Sequence, residues 1–92
     1  MTDPTVRNNT ALSRFELETE FGMAVANYRA SDGAVAIYHT EVPSQLRERG
    51  VGSRLVQGAL QLARAQGLKV VPACDFVAHY MATHPEFNDL RK

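Results

Sequence analysis

The sequence predicts a mixed α/β fold of the α+β kind: antiparallel strands first, then a β-α-β unit, then a closing helix. Three observations predict it. Period-two alternation and a Ser31-Asp32-Gly33 hairpin signal organise the first third of the chain. An apolar stripe at helical spacing, Val51, Leu55, Ala59 and Leu62, lies between two β-rich runs. Ninety-two residues, 45% of them hydrophobic and without internal repeats, are enough for one modest core.

Each element follows in order. Residues 1–9 are polar and read as a flexible tail, leaving 10–92 as a single domain. Strands are expected near 11–18 and 23–29. In the first, Leu12, Arg14, Glu16 and Glu18 alternate imperfectly with Ser13, Phe15 and Leu17. In the second, Met23, Val25 and Asn27 alternate with Ala24, Ala26 and Tyr28. A third strand over 34–42 is rich in β-branched and aromatic residues and ends at Pro43. The main helix covers 51–66, with Val56, Leu60 and Ala63 widening its stripe and Gly67 as its stop. Gly58 costs that helix about 1 kcal/mol relative to Ala; close packing on a sheet is one reason to keep it. A fourth strand over 69–73 and a helix over 75–83, ended before Pro85, complete the chain. Strand, helix, strand implies a parallel pair joined by a crossover.

The chemistry concentrates in Arg47-Glu48-Arg49-Gly50-Val51-Gly52, an R-x-x-G-x-G that opens the main helix. Glycines let the backbone turn tightly and approach a ligand closely. The free N–H groups of the first helical turn and the helix dipole favour a phosphate. Arg47 and Arg49 add full charges at the rim. Two other phosphate motifs fail. No Gly-Lys precedes a Ser or Thr, as a P-loop requires. Leu55 stands where the dinucleotide fingerprint needs its third glycine.

Cys74 lies where the fourth strand gives way to the last helix. There a helix N-terminus can lower a thiol pKa and favour the thiolate; a small buried hydrophobe is the other reading. His39 can act as a base or polarise a carbonyl, or satisfy a core hydrogen bond. Strict alternation puts His39 and Glu41 on the face of Val35 and Ile37. His79 and His84 are five apart and do not align on a helix, so no metal is expected.

The pattern Val42 and Pro43, then Arg47, Gly50 and Gly52, resembles the acyl-CoA motif of the GCN5-related N-acetyltransferase superfamily. A subgroup of short members is closer still. It is similar in His39-Thr40-Glu41-Val42-Pro43 and in Val71-Pro72-Ala73-Cys74-Asp75-Phe76-Val77, Tyr80 and His84-Pro85-Glu86-Phe87. The resemblance implies a minimal version of that fold, with acetyl-CoA or CoA as the bound cosubstrate. Val42, Arg47, Glu48, Arg49, Gly50, Val51, Gly52 and Ser53 would hold it. Cys74, His39, Tyr80 and Glu41 are the implied catalytic candidates. Glu41 would take the amine's proton, and Tyr80 would return one to the departing thiolate. For Glu41 a solvated charge, and for Tyr80 a packed core tyrosine, are the competing readings. Full-sized members carry further elements around the acceptor site, which this chain lacks; a homodimer is one way to complete that site.

Formal charge is zero, which gives no support for nucleic-acid or anionic-membrane binding. One cysteine excludes an internal disulfide. No run is long enough for a transmembrane helix and no signal peptide is evident, so the expected location is cytoplasmic. The expected activity is acyl transfer from acetyl-CoA to an amine, directly or through Cys74. The rivals are a CoA-binding module without turnover and an interaction subunit that keeps only the fold; the intact glycine turn argues against the last.

Overall fold

Alternation sorts the strands' side chains onto two faces. Phe15 and Leu17 of β2 (Arg14–Thr19) are buried with Ala24, Ala26 and Tyr28 of β3 (Gly22–Ser31). The antiparallel register pairs Phe15 with Ala26 and Leu17 with Ala24, so these residues form one apolar layer. The computed structural model describes residues 6–92. After β3 come β4 (Ala34–Glu41), α1 (Val51–Ala65), β5 (Lys69–Pro72) and α2 (Asp75–Thr83). Short 3₁₀ turns cover Ser44–Leu46 and Pro85–Leu90. The sheet runs in sequence order, antiparallel except for the parallel pair β4 and β5.

The expected tail is corrected at residues 6–9. Val6–Asn9 form β1, antiparallel to β2, with Val6 4% exposed. Residues 1–5 of that tail lie outside the described residues. A turn over residues 10–13 joins β1 to β2, closed by bonds from Leu12 and Ser13 N–H to the carbonyls of Asn9 and Thr10. That turn is why β2 starts at Arg14 instead of residue 11.

The helix α1 lies on the apolar layer through Leu55, Val56, Ala59, Leu60 and Ala63. Gly58 is its closest approach: a Cβ there would stand 2.5 Å from Val6 Cγ2. The glycine thus trades about 1 kcal/mol of helix propensity for tight packing on β1. At the other end Gly67 (φ 71°) closes the helix. Leu68 N–H bonds to Ala63 O and Gly67 N–H to Arg64 O, and Leu68 folds back on the core.

One irregularity reorganises the site. Asn27 pairs with His39 but Tyr28 pairs with Ile37, leaving Tyr38 as an extra residue in β4. Such a bulge shifts the alternation of side chains. Ile37 stays on the helix face with Tyr28, and Thr40 joins that face opposite Ala26. His39 and Glu41 fall on the open face, opposite Asn27 and Val25. The expectation that they share the face of Val35 and Ile37 is therefore corrected; unbroken alternation does not hold across the bulge. Among the described residues no helix is long and apolar enough to cross a membrane.

Candidate active site

Strand β4 outlasts its neighbour. Its last register pair with β5 is Ile37 with Pro72, followed by Ala73 N–H to Ile37 O at 3.0 Å. Beyond that point β5 gives way to α2, while β4 continues to Glu41. Among the described residues, no strand lies beside its backbone edge from Tyr38 onward on that side. The resulting gap is a cavity of about 410 Å³, lined among others by Thr40, Val42, Leu46, Gly50, Gly52 and Phe76. This is within the range of small-molecule sites. The first turns of α1 and α2 both reach it.

The glycine turn supplies its polar wall. Gly50 is the N-cap of α1, with φ 78°, a left-handed conformation in which a side chain is strained. Glu48 adopts φ 67° just before it. Hydrogen bonding within α1 begins with Arg54 N–H to Gly50 O at 3.0 Å. The N–H groups of Val51, Gly52 and Ser53 precede that ladder and are those a helix leaves for an anion. Arg47, Glu48 and Ser53 also line the cavity, whereas Arg49 and Val51 do not; Val51 is buried in the core.

Gly52 has ordinary helical geometry, so the backbone does not demand glycine there. The space does: a Cβ would lie 3.0 Å from Phe76 Cζ. Gly52 therefore seats the Phe76 ring, which is 41% exposed and forms another wall of the cavity. Phe76, Thr40 and Leu46 escaped the sequence reading as site residues. Phe76 stood within a family-like block, but nothing in the sequence ties it to Gly52.

Cys74 is the N-cap of α2 and is partly buried, with Sγ 3.7 Å from Thr40 Oγ1. Burial pushes its thiol pKa up. The Val77 and Phe76 amides, with Thr40, more than offset this and hold it below the ordinary value. Sγ forms no regular capping bond, so the amides act as nearby dipoles more than as capping donors. The sequence's placing of Cys74 at a helix start is met.

The other three catalytic candidates lie apart from Cys74. His39 Nε2 is 3.8 Å from Glu41 Oε1, and both are largely exposed on the open face. Tyr80 packs into the core, stacked on the His84 ring with centroids 3.8 Å apart. Burial, and then Glu86, raise its pKa. It is not among the residues lining the cavity. His84 is held by Tyr80 O, 2.7 Å from Nδ1. No group of three or more metal-ligating side chains occurs among the described residues.

Comparison with known proteins agrees with this architecture. Residues 14–90 match the sequence pattern of the GCN5-related N-acetyl-transferase family. The chain belongs to that family. The solution structure of a GCN5-like protein from Staphylococcus aureus superposes with a TM-score of 0.72 at 24% identity. The match covers 100% of this chain and 91% of that one, and it shows the shared fold. Membership makes this a protein of an acyltransferase class that generally uses acetyl-CoA.

Proposed function

We propose that the chain is an acyl-CoA-dependent N-acyltransferase that moves an acetyl group from acetyl-CoA to an amine. One observation carries the reading: the R-x-x-G-x-G turn opens into the same cavity as the unaccompanied end of β4 and the first turn of α2. The donor set fits a pyrophosphate, with the amides of Val51, Gly52 and Ser53 and the Arg47 guanidinium on one wall. The backbone from Thr40 to Val42, at and just past the end of β4, offers groups that can take an amide-bearing arm as if it were an added strand. Acetyl-CoA, when bound, supplies an activated thioester.

The chain's own groups then orient and exchange protons. In the relayed route the Cys74 thiolate bonds to the acyl carbon, and the bond to the CoA sulfur breaks. The amine nitrogen next takes the acyl carbon and Sγ leaves as thiolate, while the amine's proton passes to a base. Glu41 and His39 are the bases nearest the end of β4. In the direct route the amine attacks without Cys74. Tyr80 is retained, from the family resemblance, as the proton donor to the departing CoA thiolate; its phenol is protonated at neutral pH, and it packs behind the cavity and not in its lining.

Incubation with acetyl-CoA and an amine panel, read by mass spectrometry, tests this. Free CoA and an acetylated amine are expected. Acetyl-Cys74 and loss of turnover in Cys74→Ala select the relayed route. Tyr80→Phe should lower turnover and leave CoA affinity near its starting value. Gly52→Asp should abolish CoA binding in calorimetry even in a Phe76→Ala background, where the ring no longer blocks the added side chain. Tight CoA binding with no product across the panel would favour the binding-module reading instead.

A further inference from the structure

The open face of the sheet holds a buried charge that the reading above does not use. Glu16 is 2% exposed although, among the described residues, no helix packs on this face of the sheet. Arg14 Nε donates to its Oε2 at 2.6 Å, Arg7 Nε to its Oε1 at 3.0 Å, and Asn9 to Oε2 at 2.9 Å. These long neighbours form its cover. Arg14 is thereby anchored through one of its five N–H donors and keeps the rest. That guanidinium lines a second cleft of about 440 Å³, between the β2–β3 hairpin tip and the segment that follows β4. Phe21, Met23 and Val25 give it an apolar side. Glu41 and Arg47 give it one carboxylate and a second cation. Val42 and Arg47 also line the first cavity, so the two chambers share a wall.

We infer that this second cleft is the acceptor site and that its ligand is a small amino-carboxylate with an apolar side chain. The inference rests on the proposed acyl transfer, and it gives that reaction an acceptor chamber. Charge complementarity sets the class. The ammonium group faces Glu41, with His39 at 3.8 Å from that carboxylate. The carboxylate faces Arg14 and Arg47, where a guanidinium offers paired donors. The side chain rests on Phe21, Met23 and Val25. A simple amine leaves Arg47 without an anion and Arg14 with Glu16 alone, and a simple carboxylate leaves Glu41 with only His39 beside it. The cleft opens on the face opposite Cys74, so donor and acceptor approach the end of β4 from opposite sides.

Amide chemical-shift titration of the full chain tests this without requiring turnover. The probes are leucine, isopentylamine and 4-methylpentanoate, which differ only in which charged groups they carry. Leucine should give saturable shifts confined to residues 21–25 and 41–47, with affinity about tenfold above either analogue. Glu41→Gln, on an exposed side chain, should remove most of leucine's advantage over 4-methylpentanoate. Arg29→Gln, outside the cleft, should leave it intact. Equal binding of isopentylamine, shifts mapping elsewhere, or no saturable shift with any probe would overturn the assignment. A parallel CoA titration separates the two readings. CoA shifts at residues 50–54 without any leucine response sink the acceptor site alone. Leucine shifts without a CoA response sink the acyl-CoA reading and leave the cleft standing.

Discussion

The two faces of the sheet are built on different physics. The helix face is a dry layer in which Phe15, Leu17, Ile37, Leu55, Leu60 and Met81 are fully buried. Its stability comes from apolar area removed from water and from close packing. The open face is ordered by charge. Glu16 is enclosed there by Arg7, Arg14 and Asn9, and His39 and Glu41 stand in solvent. Chemistry divides the same way: the thiol and the glycine turn lie on the covered side, while the candidate bases lie on the open side. Strand β4 is where the two meet, and the bulge at Tyr38 decides which residue faces which way.

Substitutions can break or sharpen that contrast. The largest effect is expected on the covered face. Leu60→Ala should cost about 2–5 kcal/mol in urea unfolding, since a fully buried leucine leaves a cavity. Val25→Ala, on the open face, should cost roughly 1 kcal/mol, because solvent or mobile side chains can fill the space. Equal costs would mean that a partner covers the open face in solution.

Next comes the contact between α1 and β1. Gly58→Ala should destabilise by about 1–2 kcal/mol, although helix propensity alone favours alanine by about 1 kcal/mol. The clash with Val6 is the cause, so Val6→Ala in the same chain should recover part of the loss. A stabilised Gly58→Ala would show that β1 does not pack there.

The charge network on the open face should appear as acid sensitivity. The hydrogen bond from Arg14, with those from Asn9 and Arg7, outweighs burial and holds Glu16 below the ordinary carboxylate range. A depressed folded-state pKa contributes stability that is fully present above the unfolded value of about 4.3 and is lost as pH falls through the folded one. Glu16→Gln should therefore be less stable than the parent at neutral pH, and the two should converge in acid. Parallel urea midpoints across the whole range would mean that the carboxylate gains nothing from its partners.

The smallest effect separates the two faces most directly. Thr40→Val removes a partner of the Cys74 thiolate and should raise its apparent pKa slightly in a thiol-reagent pH profile. His39→Ala should leave that profile unmoved, because the bulge turns His39 away from the thiol. A shift of similar size in both variants would place His39 within the thiol's field and unite the two faces.

Much was legible in the sequence because the signals are local. The 3.6-residue stripe over 51–66 marks α1 to within one residue, and the turn residues mark the hairpin. The glycine turn at the start of α1 was visible because an N-cap and its donors are properties of a few adjacent residues. Strand β1 was missed because Val-Arg-Asn-Asn is polar and short. Its one apolar residue, Val6, reaches the core by virtue of a glycine fifty-two positions away, at Gly58.

What the tertiary structure alone decided are the relations between distant segments. Composition and spacing by themselves determined the fold class, the order of helices and strands from β2 onward, and the position of Cys74 at a helix start. They did not determine that Tyr38 would be extra in β4, since a bulge is defined only against the partner strand. That one residue sends Thr40 toward Cys74, and His39 and Glu41 to the open face. Nor did they determine that Gly52 makes room for Phe76, or that Glu16 anchors Arg14 beside a cleft. Helical and strand periods are written in neighbouring residues, whereas faces, registers and clefts exist only once separate segments are packed together.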